Sequence, residues 1–162
     1  MNRIAQFYLV SREQLLKDWN FDCPAPEVVK LPKRATSGSA GYDFYAPVGF
    51  ELKPGETILL PTGVRAKMDD GWVLMMFPRS GLGFKFRLQL NNTVGVIDSD
   101  YFNAKNEGHI MLKLTNDSNE GKTVSVNAGD AVAQGVFLPY GVTVDDDAAG
   151  VREGGFGSTD RK

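Results

Sequence analysis

The sequence predicts an all-β fold, a sandwich or barrel of short strands. Three observations carry this expectation. Apolar and polar residues alternate through the middle of the chain, turn signals recur at roughly ten-residue spacing, and 18 Gly and 8 Pro are spread along 162 residues instead of pooling in a linker.

One helix precedes the strands. Ser11 can cap it, Gln14 three residues later completes a capping box, and Leu15, Leu16 and Trp19 form an apolar stripe to pack against the barrel. A Pro54-Gly55 turn introduces a strand over Thr57 to Leu60, and Asp69-Asp70-Gly71 is a hairpin-type signal before Trp72 to Phe77. Ile110, Leu112 and Leu114 alternate with Met111, Lys113 and Thr115, as one dry and one wet face require. Val124 and Val126 repeat the pattern ahead of a turn at Ala128-Gly129-Asp130. The stretch Ala131 to Pro139 is nearly all apolar, which suits a strand buried on both faces or at a subunit seam. Beyond Asp145 the chain is Gly-rich with few large apolar groups and cannot offset its ordering entropy alone, so it is predicted to be mobile until something binds it. The chain thus divides into a barrel domain over 1–149, including an N-terminal extension over 1–27, and a flexible C-terminal arm over 150–162.

Composition narrows the function. A chain of 162 residues makes one compact domain. Eighteen Lys and Arg against 20 Asp and Glu leave a net charge of -2, too balanced a field to hold duplex nucleic acid. One Cys cannot form an internal disulfide, and one His cannot build a Cys/His zinc cage or a His-rich metal site. No apolar run approaches the roughly 18 residues that cross a bilayer, and the N-terminus turns polar after Val10 with no small-residue cleavage site. A reduced, cytoplasmic protein with no membrane or nucleic-acid partner is expected.

Three segments can carry chemistry. Pro78-Arg79-Ser80-Gly81-Leu82-Gly83 sets a guanidinium and a hydroxyl beside glycines that let backbone N–H groups approach an anion, a phosphate cradle without the Gly-Lys-Ser/Thr ending of a Walker A loop. The competing reading is a strand-end turn. Gly95-Val96-Ile97-Asp98-Ser99-Asp100-Tyr101 puts carboxylates directly after an apolar run, and strand alternation places Val96, Asp98 and Asp100 on one side. Such a carboxylate can orient or deprotonate water, or it closes an Asx turn. Arg152 and Gly154-Gly155-Phe156-Gly157-Ser158-Thr159 place an aromatic among glycines next to an Arg and two hydroxyls, a set able to fold over a base and a phosphate or else an ordinary mobile tail.

Together these segments closely resemble the trimeric deoxyuridine triphosphatase (dUTPase) family over about residues 28 to 160. Its five motifs match, in order, Gly38-Ser39-Ala40-Gly41-Tyr42-Asp43, Pro78 to Leu82, Asn92 to Tyr101, Gly129-Asp130-Ala131-Val132-Ala133-Gln134, and Arg152 to Thr159. The resemblance implies a distorted jelly-roll-like barrel of the β-clip type that forms a homotrimer with shared active sites. It also implies hydrolysis of dUTP to dUMP and pyrophosphate with Mg²⁺, which limits uracil in DNA and supplies dUMP for dTTP synthesis. By the same resemblance Asp98 activates the water that attacks the α-phosphorus, Gln134 helps position that water or the phosphate, and Arg79, Ser80 and Gly81 cradle the triphosphate, with Ser80 near the α–β bridging oxygen. Asn92 and the following hairpin backbone, Val96 included, read the uracil edge, and Tyr101 packs under the deoxyribose. Arg152 reaches the γ-phosphate, while Phe156, beside Gly157 and Ser158, stacks on uracil. No residue ligates the metal directly: phosphates and water hold Mg²⁺, with Asp43 in its outer shell.

The chain departs from the family pattern in places. Phe102 to His109 lengthens the expected hairpin after Tyr101 by roughly five residues, an insertion of the kind surface loops tolerate. His109 within it is expected to be structural or exposed. Ala131 replaces a frequent Arg, and the fifth motif has one residue between Arg152 and Gly154. A dCTP deaminase-like or bifunctional nucleotide enzyme is the alternative enzyme, but the acid that family carries in this strand is replaced by Lys113. A nucleotide-sensing, protein-binding module on the same barrel is the non-enzymatic alternative.

Overall fold

In the computed structural model, which describes residues 2–152 with Gly154 and Gly155, the apolar run of the sequence becomes the central strand of the largest sheet. The elements in chain order are β1 (Ala5–Leu9), α1 (Arg12–Asp18), β2 (Lys33–Arg34), β3 (Tyr42–Tyr45), β4 (Phe50–Leu52), β5 (Thr57–Pro61), β6 (Val64–Met68), β7 (Trp72–Pro78), α2 (Ser80–Phe86), β8 (Leu88–Leu90), β9 (Gly95–Ile97), a 3₁₀ turn over Ser99–Asn103, β10 (Met111–Asn116), β11 (Val124–Val126) and β12 (Ala131–Pro139). The sheets have the orders β2-β3-β12-β7-β9, β5-β10-β8, β1-β6 and β11-β4, and every pairing is antiparallel. The fold is all-β, as predicted, and its jelly-roll-like layers close on one main core. Phe44, Leu60, Leu74, Met76, Leu88, Leu114, Val124 and Val132 are fully buried there. Among the described residues no helix is long and apolar enough to cross a membrane.

Strand β12 explains its own composition. It lies between β3 and β7, so its first half is buried, and Gly135 sits where a Cβ would come within 2.8 Å of Leu74 Cδ1 and 3.0 Å of Phe44 Cε2. Farther along, Leu138 and Pro139 are exposed.

Several expectations change. The Asp69-Asp70-Gly71 signal does not close a hairpin: β6 pairs with β1 and β7 with β12 and β9, so this turn is a corner between sheets, with Gly71 at a positive φ of 80°. A turn motif reports local curvature, whereas pairing depends on strands from distant parts of the chain. A second helix, α2, takes in Ser80 to Gly83 of the cradle segment, where the sequence suggested a glycine-rich cradle or a strand-end turn and no helix. In α1 the Ser11 hydroxyl accepts from Gln14 N–H at 3.1 Å, but the other half of the capping box comes from elsewhere. The Gln14 amide donates to Asp18, and the Ser11 N–H donates to Glu107 at 2.7 Å. Of the predicted stripe, Leu15 is buried beside Val10 and Ala25, whereas Leu16 is exposed.

Candidate active site

Strand β7 positions the site through its two registers. On one side Gln134 of β12 stands opposite Phe77, and Ala133 opposite Pro78. On the other, β9 runs antiparallel with Gly95 opposite Met76 and Ile97 opposite Leu74, which carries Asp98 toward Val73. Arg79 and Ser80 follow Pro78 at the far end. At a rise of ~3.3 Å per residue, the five steps from Val73 to Pro78 separate these ends by about 17 Å. One chain therefore holds the expected residues in two groups.

The first group surrounds a cavity of 440 Å³ between two sheet edges. Strand β8 pairs only with β10 and β9 only with β7, so each leaves one backbone edge without a strand partner among the described residues, and both line the cavity with the turn between them. The predicted hairpin is in fact this open slot, its chain reversed at Thr93, which has a positive φ of 70°. Unpaired backbone groups in a slot can read the edge of a planar base. Asn92 is exposed in the turn, and Val96, 55 % exposed, faces the opening.

Asp98 follows β9 and is the N-cap residue of the 3₁₀ turn that carries Asp100, with its side chain free of the capping hydrogen bond. The two carboxylates do converge, through this turn and not through strand alternation. Both meet Arg152: its Nε donates to Asp100 Oδ1 at 2.7 Å and its Nη2 to Asp98 Oδ2. The guanidinium also lies 5.9 Å from the centroid of the Tyr101 ring. Composition leaves the arm without a partner, yet the described part of it has one, since a Cβ on Gly155 would come within 2.6 Å of Tyr101 Cε2. Tyr101 is 6 % exposed, and burial raises its phenol pKa above the ordinary 10.0. Phe156, Gly157 and Ser158 lie outside the described residues.

The second group lies at the other end of β7. Arg79 caps α2, and its carbonyl accepts from the N–H groups of Leu82 and Gly83 at 3.0 and 2.9 Å. Its Nε is 3.7 Å from Asp43 Oδ1. Gln134 stands opposite Asp43 in the β3·β12 register, and its amide oxygen lies where a Cβ on Gly41 would approach to 2.6 Å, so a larger residue there would push the Gln134 amide aside. Ser80 and Gly81 are exposed. Among the described residues no three His, Cys, Asp or Glu side chains cluster as a metal cage.

Sequence reasoning left several neighbours out of the site. Asp100, which the sequence sets beside Asp98 as a carboxylate able to handle water, is a second anchor of Arg152. Lys113 lines the cavity. Asn106 donates to the Tyr101 hydroxyl at 2.8 Å, and no local pattern signals a contact made by a loop folding back on its own start. In chemical terms, one group offers a carboxylate at the mouth of a base-sized slot and the other an Arg, a hydroxyl and an amide suited to anionic oxygens.

Comparison with known proteins supplies the family. A family model described as dUTPase matches residues 27–160. The deoxyuridine 5'-triphosphate nucleotidohydrolase of Lactococcus lactis is 45 % identical over 134 residues, covering 81 % of this chain and 88 % of that protein. The crystal structure of the dUTPase from Streptococcus mutans aligns with a TM-score of 0.64 at 40 % identity, over 86 % of this chain and 98 % of that one. A mutant dUTPase of phage phi11 of S. aureus, in which a structural Mg(II) ion is coordinated, shares the fold at a TM-score of 0.65 and 21 % identity, over 91 % of this chain and 98 % of that one.

Proposed function

The chain belongs to the dUTPase family and hydrolyses dUTP to dUMP and pyrophosphate, and we propose that it does so at a site assembled from more than one copy of the chain. The observation that supports this reading is the β7 register, which holds Asp98 and the slot at one end and Arg79, Ser80 and Gln134 at the other. These residues act on one phosphorus only if a neighbouring chain brings the second group to the first, and a homotrimer provides the closed symmetry for three such sites.

Within that site uracil enters the slot between β8 and β9, where Asn92 and the backbone around Val96 meet its edge. Tyr101 lies under the deoxyribose. Arg79, Ser80 and Gly81 hold the triphosphate, Gln134 orients the α-phosphate or the attacking water, and Asp98 takes a proton from that water. The new O–P bond forms at the α-phosphorus as the α–β bridge breaks, and the bridging oxygen leaves with pyrophosphate. Arg152 reaches the phosphates only by leaving Asp98 and Asp100, so its transfer frees Asp98 to hold the water. Phe156, with Gly157 and Ser158, closes over the base.

Mg²⁺ fits the donor set as an ion carried by the triphosphate and water, since the hard oxygens of Asp43 stand beside the phosphate-binding Arg79 in reach of an outer shell. When bound, it neutralises phosphate charge. The working compartment under this reading is the cytoplasm, where the exposed Cys23 stays a thiol.

The test is pyrophosphate release from dUTP, dCTP and UTP, with Mg²⁺ and with a chelator. Selective, Mg²⁺-stimulated turnover of dUTP is expected. Asp98→Asn should lower it by about 10²-fold or more with the fold retained, the range for loss of a general base. Full activity in that variant would remove Asp98 from its role.

A further inference from the structure

The insertion after Tyr101 and the N-terminal extension lie outside every motif, and in the structure they hold each other. At the start of α1 the Ser11 N–H and hydroxyl both donate to the Glu107 carboxylate, at 2.7 and 2.6 Å. At its end Asp18 takes a hydrogen bond from His109 Nδ1 at 2.6 Å. One short helix thus grips the insertion on both sides of Gly108. That glycine adopts a positive φ of 69°, and a Cβ on it would meet the Tyr101 carbonyl oxygen at 2.5 Å.

The gripped loop in turn holds one phenol. Asn106 Oδ1 accepts from the Gly108 N–H at 3.2 Å, and its backbone carbonyl accepts from the His109 N–H at 3.1 Å. Asn106 Nδ2 donates to the Tyr101 hydroxyl at 2.8 Å, and that hydroxyl donates to the His109 carbonyl at 2.7 Å. Both hydrogen bonds that fix the ring therefore come from the insertion. The ring itself forms a wall of the cavity.

We propose that Asn106 is a positioning residue for Tyr101, that α1 holds its loop in place through Glu107 and His109, and that this interlock sets the preference of the site for 2′-deoxyribose over ribose. The proposal rests on the reading of Tyr101 as the surface beneath the sugar. Its physical basis is that an apolar wall rejects an added hydroxyl only weakly, by about 10²-fold. Whatever selectivity the wall supplies depends on its not yielding. A phenol held by a donor and an acceptor on a braced loop resists displacement, whereas a phenol held by ring packing alone can shift to admit the 2′-hydroxyl.

The experiment compares kcat/KM for dUTP with that for UTP in the full-length protein. Asn106→Asp keeps the acceptor for the Gly108 N–H and removes the donor facing the phenol. The double variant Ser11→Ala/Asp18→Asn loosens the grip of α1 without touching the cavity. Each is expected to lower the dUTP:UTP ratio by about three- to tenfold, the scale of one lost hydrogen bond. The change should come mainly from a higher KM for dUTP and faster UTP turnover, with kcat for dUTP little altered. A merely structural network would shift melting and leave the ratio alone, and that result overturns the proposal. Loss of selectivity in the Asn106 variant alone overturns the part assigned to α1. Should Asn106→Asp not fold, Tyr101→Phe removes both hydrogen bonds and keeps the ring, and an unchanged ratio there is equally fatal. Tyr101→Ala separates the two levels. If it abolishes selectivity while the other variants do not, the interlock is wrong and the sugar-wall reading stands. If it leaves selectivity intact, the reading of Tyr101 falls and the interlock with it.

Discussion

His109 shows how far a single residue can be read from sequence. Its place in the insertion is legible, but the choice between a structural and an exposed role is not, and neither is its partner, because Asp18 lies 91 residues earlier in the chain. The imidazole is fully buried. Its Nε2 accepts from the Gly63 N–H at 2.8 Å, so the ring proton sits on Nδ1 and goes to Asp18. Burial lowers the His109 pKa below the ordinary 6.5, against the opposing pull of Asp18 and Glu107. A depressed pKa means that the unfolded chain binds the proton more readily. The stability from this residue is thus fully present above pH 6.5 and is lost as pH falls from there. Glu107, held low by its hydrogen bonds from Ser11, has the same sign, but its window opens below 4.5. Melting temperature should therefore decline between pH 7.5 and 5.5, and His109→Gln, which keeps an acceptor toward Gly63, should flatten that decline. Parallel pH slopes for the two proteins in calorimetry would show that His109 does not titrate with folding.

Among the elements, α1 and the arm were the least legible. Ser11 was recognisable as a cap from its neighbours alone, and it does accept from Gln14 N–H. The reciprocal bond was not recognisable, because Glu107 supplies it from a distant loop. The arm begins in a Gly-rich stretch whose composition names no partner, yet Arg152 finds two carboxylates and Gly155 lies against a buried ring. Tyr101 is held by two hydrogen bonds and cannot move aside cheaply. Gly155→Ala should therefore displace the arm and lower kcat/KM for dUTP by about tenfold or more, since misplacement of about 1 Å costs on the order of 10² in rate. Melting should change little, as the arm adds almost nothing to the core. Steady-state kinetics beside calorimetry decide this, and an unaltered kcat/KM would mean that the seat of Gly155 on Tyr101 is not used in turnover.

For the whole molecule the decisive quantity is the separation along β7. If each site takes Asp98 from one subunit and Arg79 with Gln134 from the next, two differently inactivated chains should repair each other. Asp98→Asn and Arg79→Ala homotrimers should each be nearly inactive. Mixed one to one and reassembled, they should regain about a quarter of wild-type activity, because three-fold symmetry gives every mixed trimer one intact site and about three-quarters of trimers are mixed. Light scattering should report a trimer throughout. A mixture as inactive as its components would place the whole site within one chain.

Local pattern along the chain is enough to specify the strand class, the apolar centre of β12, the cap of α1 and the residue types able to handle a nucleotide triphosphate. Each of these depends on spacing within a few residues, where periodicity, turn chemistry and motif order operate. Tertiary structure decided the rest. It turned the Asp69-Asp70-Gly71 signal into a sheet corner, opened the expected hairpin after Asn92 into a slot, brought Asp98 and Asp100 onto Arg152, and set Gln134 at the far end of β7 from Asp98. Those outcomes follow from which strands pair and in what register. Antiparallel pairing is chosen by the fit of side chains from distant segments, and no local pattern in the chain carries that information.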